Sequence, residues 1–213
     1  MYTDGIIFDI DGTLWDCTEI VARQWSRLFA GEPDLNGLSI TGADLKKLFG
    51  KPLAEIAEIL FCSVSPERRE ELLQKCYIEE NLALEQNPPE PYPGVEAVLR
   101  TLSAGYPLFI VSNCQSGYID QFFKATGFAP YITDHLCPGD TGLLKADNIR
   151  SIKERHRLKQ AVYVGDTALD CTSSREAGVS FIFAAYGFGQ AEEADAVIRE
   201  PLELLQLLEP SPR

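Results

Sequence analysis

Short runs of consecutive apolar residues alternate along this chain with segments in which apolar residues recur at helical spacing. Several apolar residues in a row predict β-strands that are covered on both faces. The predicted strands occupy residues 5–9, 107–112, 131–136, 161–166 and 179–185. Strands of this kind, separated by amphipathic helices, indicate an α/β fold with a parallel sheet of about five strands and helices on both faces.

Residues 17–87, the helical insertion, interrupt this alternation because they contain helical patterns and almost no strand. The helix-start signals within the insertion are Thr18, the capping-box pair Thr41 and Asp44, and Ser65 before Pro66. The proline-rich stretch 87–94 ends the insertion, since proline cannot continue a helix.

The helical insertion divides the chain into two predicted domains. Residues 1–16 and 88–213 form an α/β core domain, and residues 17–87 form a helical cap domain. The insertion leaves the core directly after the first strand, at the carboxyl edge of the sheet, where ligands bind in sheets of this kind. The tail, residues 209–213, is expected to be disordered.

Composition and charge limit the partners of the protein. Of its 213 residues, 32 are acidic and 19 are basic, which gives a formal charge of −13. Such a charge opposes binding to nucleic acid or to an anionic membrane surface. No apolar run approaches the roughly 18 residues that span a bilayer, and the start of the chain has no signal-peptide pattern. We therefore expect a cytoplasmic protein, either monomer or dimer, with a small-molecule partner.

Two aspartates, Asp9 and Asp11, end the first predicted strand. If the strand geometry persists, their carboxylates point the same way and repel one another. A divalent cation relieves that repulsion, and Mg2+ accepts one or two carboxylates with a backbone oxygen and water. One carboxylate can then serve as a nucleophile while the other works as a general acid and base. Gly12 permits a tight turn, and Thr13 offers a ligand its hydroxyl or amide; solvated aspartates at a strand end are the alternative.

A second acidic turn follows the strand predicted at 161–166. If a helix begins near Thr167, Asp166 lies at the strand end and Asp170 in the first helical turn, so that both face one pocket. Asp166 can also serve merely as a helix cap. A cap does not require the second carboxylate, so the pair favours a metal site.

Three further polar residues are candidates for binding an anion. Ser112 and Asn113 end another predicted strand, and both can donate hydrogen bonds to a phosphate oxygen, although turns and caps use these residue types more often. Lys145 begins a predicted helix, where the positive partial charge of the helix N-terminus disfavours a lysine. A nearby anion would offset that cost.

These residues, taken in order, resemble the motifs of the haloacid dehalogenase superfamily. The matching pieces are D-x-D-x-T at 9–13, Ser112, Lys145 and G-D-x-x-x-D at 165–170. PYPGV before the second strand and AYGFG at 185–189 look like the phosphoglycolate-phosphatase-like branch, and the helical insertion is similar to its small helical (C1-type) cap. The resemblance implies a Rossmann-like core and an Mg2+-dependent phosphatase that acts on a small phosphorylated metabolite.

The resemblance also implies roles for individual residues. Asp9 would attack phosphorus and become an aspartyl-phosphate, while Asp11 would protonate the leaving alcohol and then activate water. The implied metal site consists of Asp9, Asp11 through its backbone carbonyl, Asp166, and Asp170 in support of the metal or of Lys145. The implied or candidate phosphate contacts are Thr13, Ser112, Asn113 and Lys145.

Two other functions remain open at this stage. A sugar-phosphate mutase, similar to β-phosphoglucomutase, would use the same core residues and pass the phosphoryl group to a second substrate. A non-catalytic phosphate-binding module would be expected to lack Asp9 or Asp11, and both are present. Asp11 also favours phosphate chemistry over carbon–halogen cleavage, because the dehalogenase branch lacks the second aspartate.

Overall fold

The computed structural model describes residues 1–35 and 37–208, so the tail expected to be disordered lies outside the described residues. The strands are β1 (Gly5–Phe8), β2 (Leu108–Val111), β3 (Asp134–Leu136), β4 (Ala161–Gly165), β5 (Ser180–Ala184) and β6 (Ala196–Ile198). The helices are α1 (Thr18–Ala30), α2 (Gly42–Leu48), α3 (Leu53–Leu60), α4 (Pro66–Gln86), α5 (Val95–Ser103), α6 (Tyr118–Thr126), α7 (Pro138–Thr141), α8 (Lys145–Arg155), α9 (Ala168–Glu176) and α10 (Leu204–Leu207).

The strands form one parallel sheet in the order β3-β2-β1-β4-β5-β6. The predicted α/β fold with a parallel, Rossmann-like sheet is confirmed, but the sheet has six strands instead of about five. The sequence did not indicate β6, because this strand has three residues and its central Val197 is 45% exposed. The strand predicted at 131–136 is shorter than expected, because Ala129–Tyr131 forms a 3-10 turn.

β1 lies between β2 and β4, and all four of its residues are buried. Ile6 and Phe8 pack into the apolar cluster on one face of the sheet, and Ile7 packs into the cluster on the other. The chain continues to β2 on one side of β1 and returns to β4 on the other, which opens a crevice at the carboxyl ends of these strands. The residues that follow the three strands, Asp9, Ser112 and Asp166, therefore meet at this edge.

Four helices, α1 to α4, occupy the helical insertion. Inside it, the Phe29 and Phe61 rings meet edge to face with centroids 5.6 Å apart, and Trp25 Nε1 donates a 3.2 Å hydrogen bond to the Cys76 carbonyl. The buried apolar side chains of the insertion are continuous with those on one face of the sheet. The division into a core domain and a cap domain stays a prediction.

Helix caps within the insertion follow the sequence signals at two of three sites. Thr41 and Asp44 form the predicted capping box, and Ser65 accepts a hydrogen bond from the Arg68 backbone. The cap predicted at Thr18 is wrong, because Thr18 is the first residue of α1 and its backbone N–H donates to Asp16 Oδ1 at 3.0 Å. Among the described residues, no helix is long and apolar enough to cross a membrane.

Phe29→Ala tests the packing inside the insertion. Phe29 is fully buried, so we expect the substitution to lower the free energy of unfolding by about 3–5 kcal/mol through lost burial and a cavity. Leu82→Ala is the control, since Leu82 is 44% exposed and its loss should cost no more than about 0.5 kcal/mol. Urea unfolding of both variants measures the difference; equal losses would contradict the packing described.

Candidate active site

Three buried carboxylates meet at the carboxyl edge of the sheet. Asp9 follows β1, Asp166 follows β4, and Asp170 lies in the first turn of α9. One oxygen of each lies within 4.8 Å of the others. The three residues are 2%, 0% and 0% exposed to solvent. The structure therefore brings together Asp166 and Asp170, as their spacing predicted, and Asp9, which the family resemblance implied for the same metal site.

Glycines let the neighbouring loops approach Asp166 closely. A Cβ atom on Gly12, whose φ is +80°, would lie 2.1 Å from Asp166 Oδ2. A Cβ atom on Gly187 would lie 2.3 Å from the Cβ of Asp166. Neither position accommodates a side chain without moving Asp166 or the loop. In this arrangement the backbone N–H of Phe188 donates a 2.7 Å hydrogen bond to Asp166 Oδ2.

Lys145 lies beside the carboxylates and is 3% exposed. It is the first residue of α8, as the sequence predicted. Its Nζ is 2.6 Å from Asp170 Oδ1 and 3.1 Å from Asp9 Oδ2. Burial alone would lower the lysine pKa, but the charges of Asp170 and Asp9 outweigh that effect and raise the pKa above its usual value. The two carboxylates thus offset the unfavourable position of a lysine at a helix start.

Asp170 is fully engaged by its neighbours. Its Oδ2 accepts hydrogen bonds from the Asp166 backbone at 3.1 Å and from the Thr167 backbone and hydroxyl at 2.9 and 2.7 Å. Its Oδ1 accepts the hydrogen bond from Lys145. Asp170 therefore positions Lys145 and holds the turn that carries Asp166.

Asp9 and Asp166 each keep one oxygen without a hydrogen-bond partner in the described part of the chain. These atoms are Asp9 Oδ1 and Asp166 Oδ1, and both are buried. Burial raises the pKa of Asp9 to about 6 against the opposing charge of Lys145. Burial, with repulsion from Asp170, raises the pKa of Asp166 to about 8. Hard carboxylate oxygens that lack partners and repel one another fit a divalent cation, so this cluster can hold a metal.

The Asp11 side chain has a separate position. Its Oδ1 accepts hydrogen bonds from the Tyr118 hydroxyl at 2.7 Å, from Trp15 Nε1 at 3.0 Å and from Cys17 Sγ at 3.1 Å. Burial raises the pKa of Asp11, while these hydrogen bonds partly oppose the rise.

The strand geometry that would point the Asp9 and Asp11 carboxylates the same way does not persist as far as these residues. β1 ends at Phe8, and the chain turns at once, with the backbone N–H groups of Thr13 and Leu14 donating to the Ile10 carbonyl. The Asp11 carboxylate takes no part in the acidic cluster found among the described residues. The metal role implied for its backbone carbonyl stays a prediction.

The remaining predicted contacts lie around the same crevice. Ser112 is buried and follows β2 directly. Its hydroxyl partly opposes the rise that burial causes in the pKa of the neighbouring Asp9. Asn113 donates one hydrogen bond of 2.7 Å from Nδ2 to the Gly50 carbonyl in the helical insertion. Thr13 is buried, and its hydroxyl has no partner among the described residues. Contact of these three residues with phosphate stays a prediction.

A small cavity separates Asp9 and Asp11 from the helical insertion, and sequence analysis missed several of the residues around it. The missed polar residues are Tyr118, Glu80 and Gln115. Tyr118 lies 107 residues from Asp11, so no local spacing connects the two. One signal could have suggested Tyr118: it begins α6, the first helix after β2.

Comparison with known proteins identifies relatives over nearly the whole chain. A family model described as haloacid dehalogenase-like hydrolase matches residues 6–184. A phosphoglycolate phosphatase of Vibrio vulnificus is 27% identical over 207 residues, covering 90% of this chain and 87% of its own. A pyrophosphatase PpaX of Halalkalibacterium halodurans is 26% identical over 224 residues, covering 98% of this chain and 98% of its own.

Solved structures have the same fold. A haloacid dehalogenase-like family hydrolase from Streptococcus pneumoniae superposes with a TM-score of 0.81 at 24% identity, covering 96% of this chain and 97% of its own. At this level of identity the likeness concerns the fold alone.

Gly12→Ala tests the close approach to Asp166. We expect it to lower the free energy of unfolding by at least about 1 kcal/mol more than Gly127→Ala, because only the first variant adds a clash. Gly127 is a matched control, since its φ is +73° and nothing lies within 4 Å of its added Cβ. Backbone strain alone should cost this control about 1–2 kcal/mol. Equal losses in urea unfolding would show that the approach to Asp166 is not constrained.

Proposed function

The chain belongs to the haloacid dehalogenase-like hydrolases, and from this premise we propose that it is an Mg2+-dependent phosphatase that hydrolyses the phosphomonoester of a small metabolite. The proposal rests chiefly on one observation. Asp9 and Asp166 each contribute to the acidic cluster one buried oxygen that has no hydrogen-bond partner among the described residues. The ammonium group of Lys145 lies beside the same cluster. This combination suits the binding of a divalent cation and of a phosphoryl group at the same place.

The residues that would hold Mg2+ are Asp9, Asp166 and the backbone carbonyl of Asp11. Bound there, the ion would offset the negative charge of the transferring phosphoryl group. Asp170 would support the site indirectly, because its two oxygens already accept hydrogen bonds from Lys145 and from the Asp166 turn.

Asp9 is the proposed nucleophile. One of its oxygens would bond to phosphorus as the leaving alcohol departs, which gives an aspartyl-phosphate that water then hydrolyses. Lys145, fixed by Asp170, would stay beside the carboxylate and contact the phosphoryl oxygens. Ser112, Asn113 and Thr13 would supply neutral hydrogen-bond donors. Positioning and charge stabilisation of this kind dominate phosphoryl transfer.

Asp11 is the proposed general acid and base. Its carboxylate is separate from the acidic cluster, and three donors from Tyr118, Trp15 and Cys17 fix its orientation. Burial raises the pKa of Asp11, and this direction favours the protonated form that a general acid requires. The carboxylate left behind could then accept a proton from the attacking water, which restores the starting state.

The names of the relatives support phosphate chemistry. One relative is called a phosphoglycolate phosphatase and another a pyrophosphatase, so both names refer to cleavage of a bond to phosphorus. We further propose that the helical insertion is a cap domain that covers the crevice and limits the access of bulk water during the reaction.

Asp9→Asn is expected to reduce phosphate release by about a thousandfold or more while the fold is retained, because an amide cannot replace the attacking carboxylate. Phosphate release from a panel of small phosphomonoesters with Mg2+ measures the effect. Asp120→Asn is the control, since Asp120 is exposed on α6 and should leave the rate unchanged. Full activity of Asp9→Asn, or no release by the unmodified protein from any ester while an unrelated phosphatase cleaves them, would contradict the proposal.

Mg2+ is expected to stabilise the protein against unfolding, since it binds the folded cluster. At about 100 times its Kd, the free energy of unfolding should rise by about 2.7 kcal/mol. Asp166→Asn should remove this increment, because it replaces one of the two carboxylates that keep an oxygen without a partner in the described part of the chain. Asp120→Asn should keep the increment. Thermal unfolding with and without Mg2+ measures the increment, and an increment that persists in Asp166→Asn would place the ion elsewhere.

A further inference from the structure

Another buried carboxyl, that of Glu80, lines the same cavity as Asp9 and Asp11. Glu80 belongs to α4 of the helical insertion and is 5% exposed. Its Oε1 accepts a 3.1 Å hydrogen bond from Gln115 Nε2, and within residues 1–35 and 37–208 this is the sole hydrogen-bond partner of the Glu80 side chain. None of the ion pairs found in that part of the chain includes Glu80.

A buried carboxyl with one partner has unused hydrogen-bonding capacity. Burial raises the pKa of Glu80 to about 8, the hydrogen bond from Gln115 opposes the rise, and the charge of Asp11 adds to it. The protonated carboxyl can both donate and accept a hydrogen bond. A buried group of this kind is costly unless another molecule completes its hydrogen bonds. The free capacity of Glu80 therefore marks a place for a polar group of the substrate.

Much of the remaining cavity wall is apolar, although Ser112, Asn113 and Tyr118 also line it. Its large side chains are Trp25, Phe49, Leu53, Ile56, Leu73 and Tyr77. In the described part of the chain, no lysine, arginine or histidine lines the cavity. The nearby Lys51 and Lys46 line a neighbouring groove, where they pair with Glu55 and Asp16. A leaving group with a negative charge would therefore be desolvated beside the carboxyls of Asp11 and Glu80, with no cation among the lining residues to offset its charge.

The cavity is also narrow. Its volume is about 30 Å3, which is room for one or two water molecules. A leaving group confined to this cavity would have to be small. The volume favours a short chain that carries a single polar group at the depth of Glu80.

We propose that Glu80 and Gln115 form a specificity pair that hydrogen-bonds a hydroxyl of an uncharged leaving group and rejects an anionic one. The substrate class is then a phosphomonoester of a small neutral polyol, in contrast to phosphoglycolate, whose leaving group carries a carboxylate. This inference rests on the proposed phosphatase function and names the substrate class of the same site.

Three esters of equal chain length test the pair: ethyl phosphate, 2-hydroxyethyl phosphate and phosphoglycolate. They differ only at the second carbon. This carbon is a methyl group in ethyl phosphate, carries a hydroxyl in 2-hydroxyethyl phosphate and is the carboxylate carbon in phosphoglycolate. With Mg2+, kcat/KM for 2-hydroxyethyl phosphate should exceed that for ethyl phosphate by about tenfold, as one hydrogen bond in a buried site provides. Phosphoglycolate should have the lowest value. A value for phosphoglycolate equal to or above that for 2-hydroxyethyl phosphate would overturn the inference and leave the phosphatase proposal intact.

Two variants of Glu80 test whether this residue causes the preference for the hydroxyl. Glu80→Leu should reduce kcat/KM for 2-hydroxyethyl phosphate about tenfold more than for ethyl phosphate, since it removes the hydrogen-bonding group. Glu80→Gln should keep both the preference for the hydroxyl and the discrimination against phosphoglycolate, because the neutral amide still forms hydrogen bonds and adds no cation to the cavity. Glu85→Leu is the matched control on an exposed position of α4 and should leave both ratios as in the unmodified protein. Unchanged ratios in Glu80→Leu would overturn the assignment.

Binding of the three esters to the Asp9→Asn variant separates the two proposals. Calorimetry with Mg2+ present gives their order of affinity without turnover, and 2-hydroxyethyl phosphate should bind most tightly. The same order with no hydrolysis by the unmodified protein would overturn the phosphatase proposal and support the specificity pair. Tightest binding of phosphoglycolate would overturn the specificity pair whatever the rates are.

Discussion

Repulsion among buried carboxylates at the carboxyl edge of the sheet is the constraint to which the surrounding structure conforms. Asp9, Asp166 and Asp170 are held together out of water, where like charges interact strongly. Lys145 offsets part of the charge through two ion pairs. The glycines of the neighbouring loops make the close approach sterically feasible, and two oxygens are left without partners. The fold thus maintains an electrostatic arrangement that a bound cation would relieve.

The Asp11 carboxylate lies outside the acidic cluster, and this position affects its acid–base chemistry. A carboxylate inside the cluster would be expected to share the cation and lose its basicity. Asp11 instead receives hydrogen bonds from Trp15, Cys17 and Tyr118. Two acidic residues that are two positions apart in sequence therefore have different surroundings, and this difference allows different roles for them.

Local rules were enough to place part of the site. Asp9, Ser112 and Asp166 were each placed at the end of a predicted strand, and the resemblance to family motifs implied that they share one site. Lys145 was added because a lysine at a helix start requires an anion. The orientation of Asp11 was not predictable, since it depends on where β1 ends. Glu80 was missed because α4 has only a weak amphipathic pattern, so its inward face could not be read from sequence.

The hydrogen bond from Asn113 to the Gly50 carbonyl joins the strand edge to the loop between α2 and α3. Asn113 directly follows Ser112, so this contact with the insertion is adjacent to a residue at the centre of the crevice. One such hydrogen bond contributes about 1 kcal/mol. A displacement of the loop between α2 and α3 would therefore have to break this hydrogen bond or carry with it the residue next to Ser112.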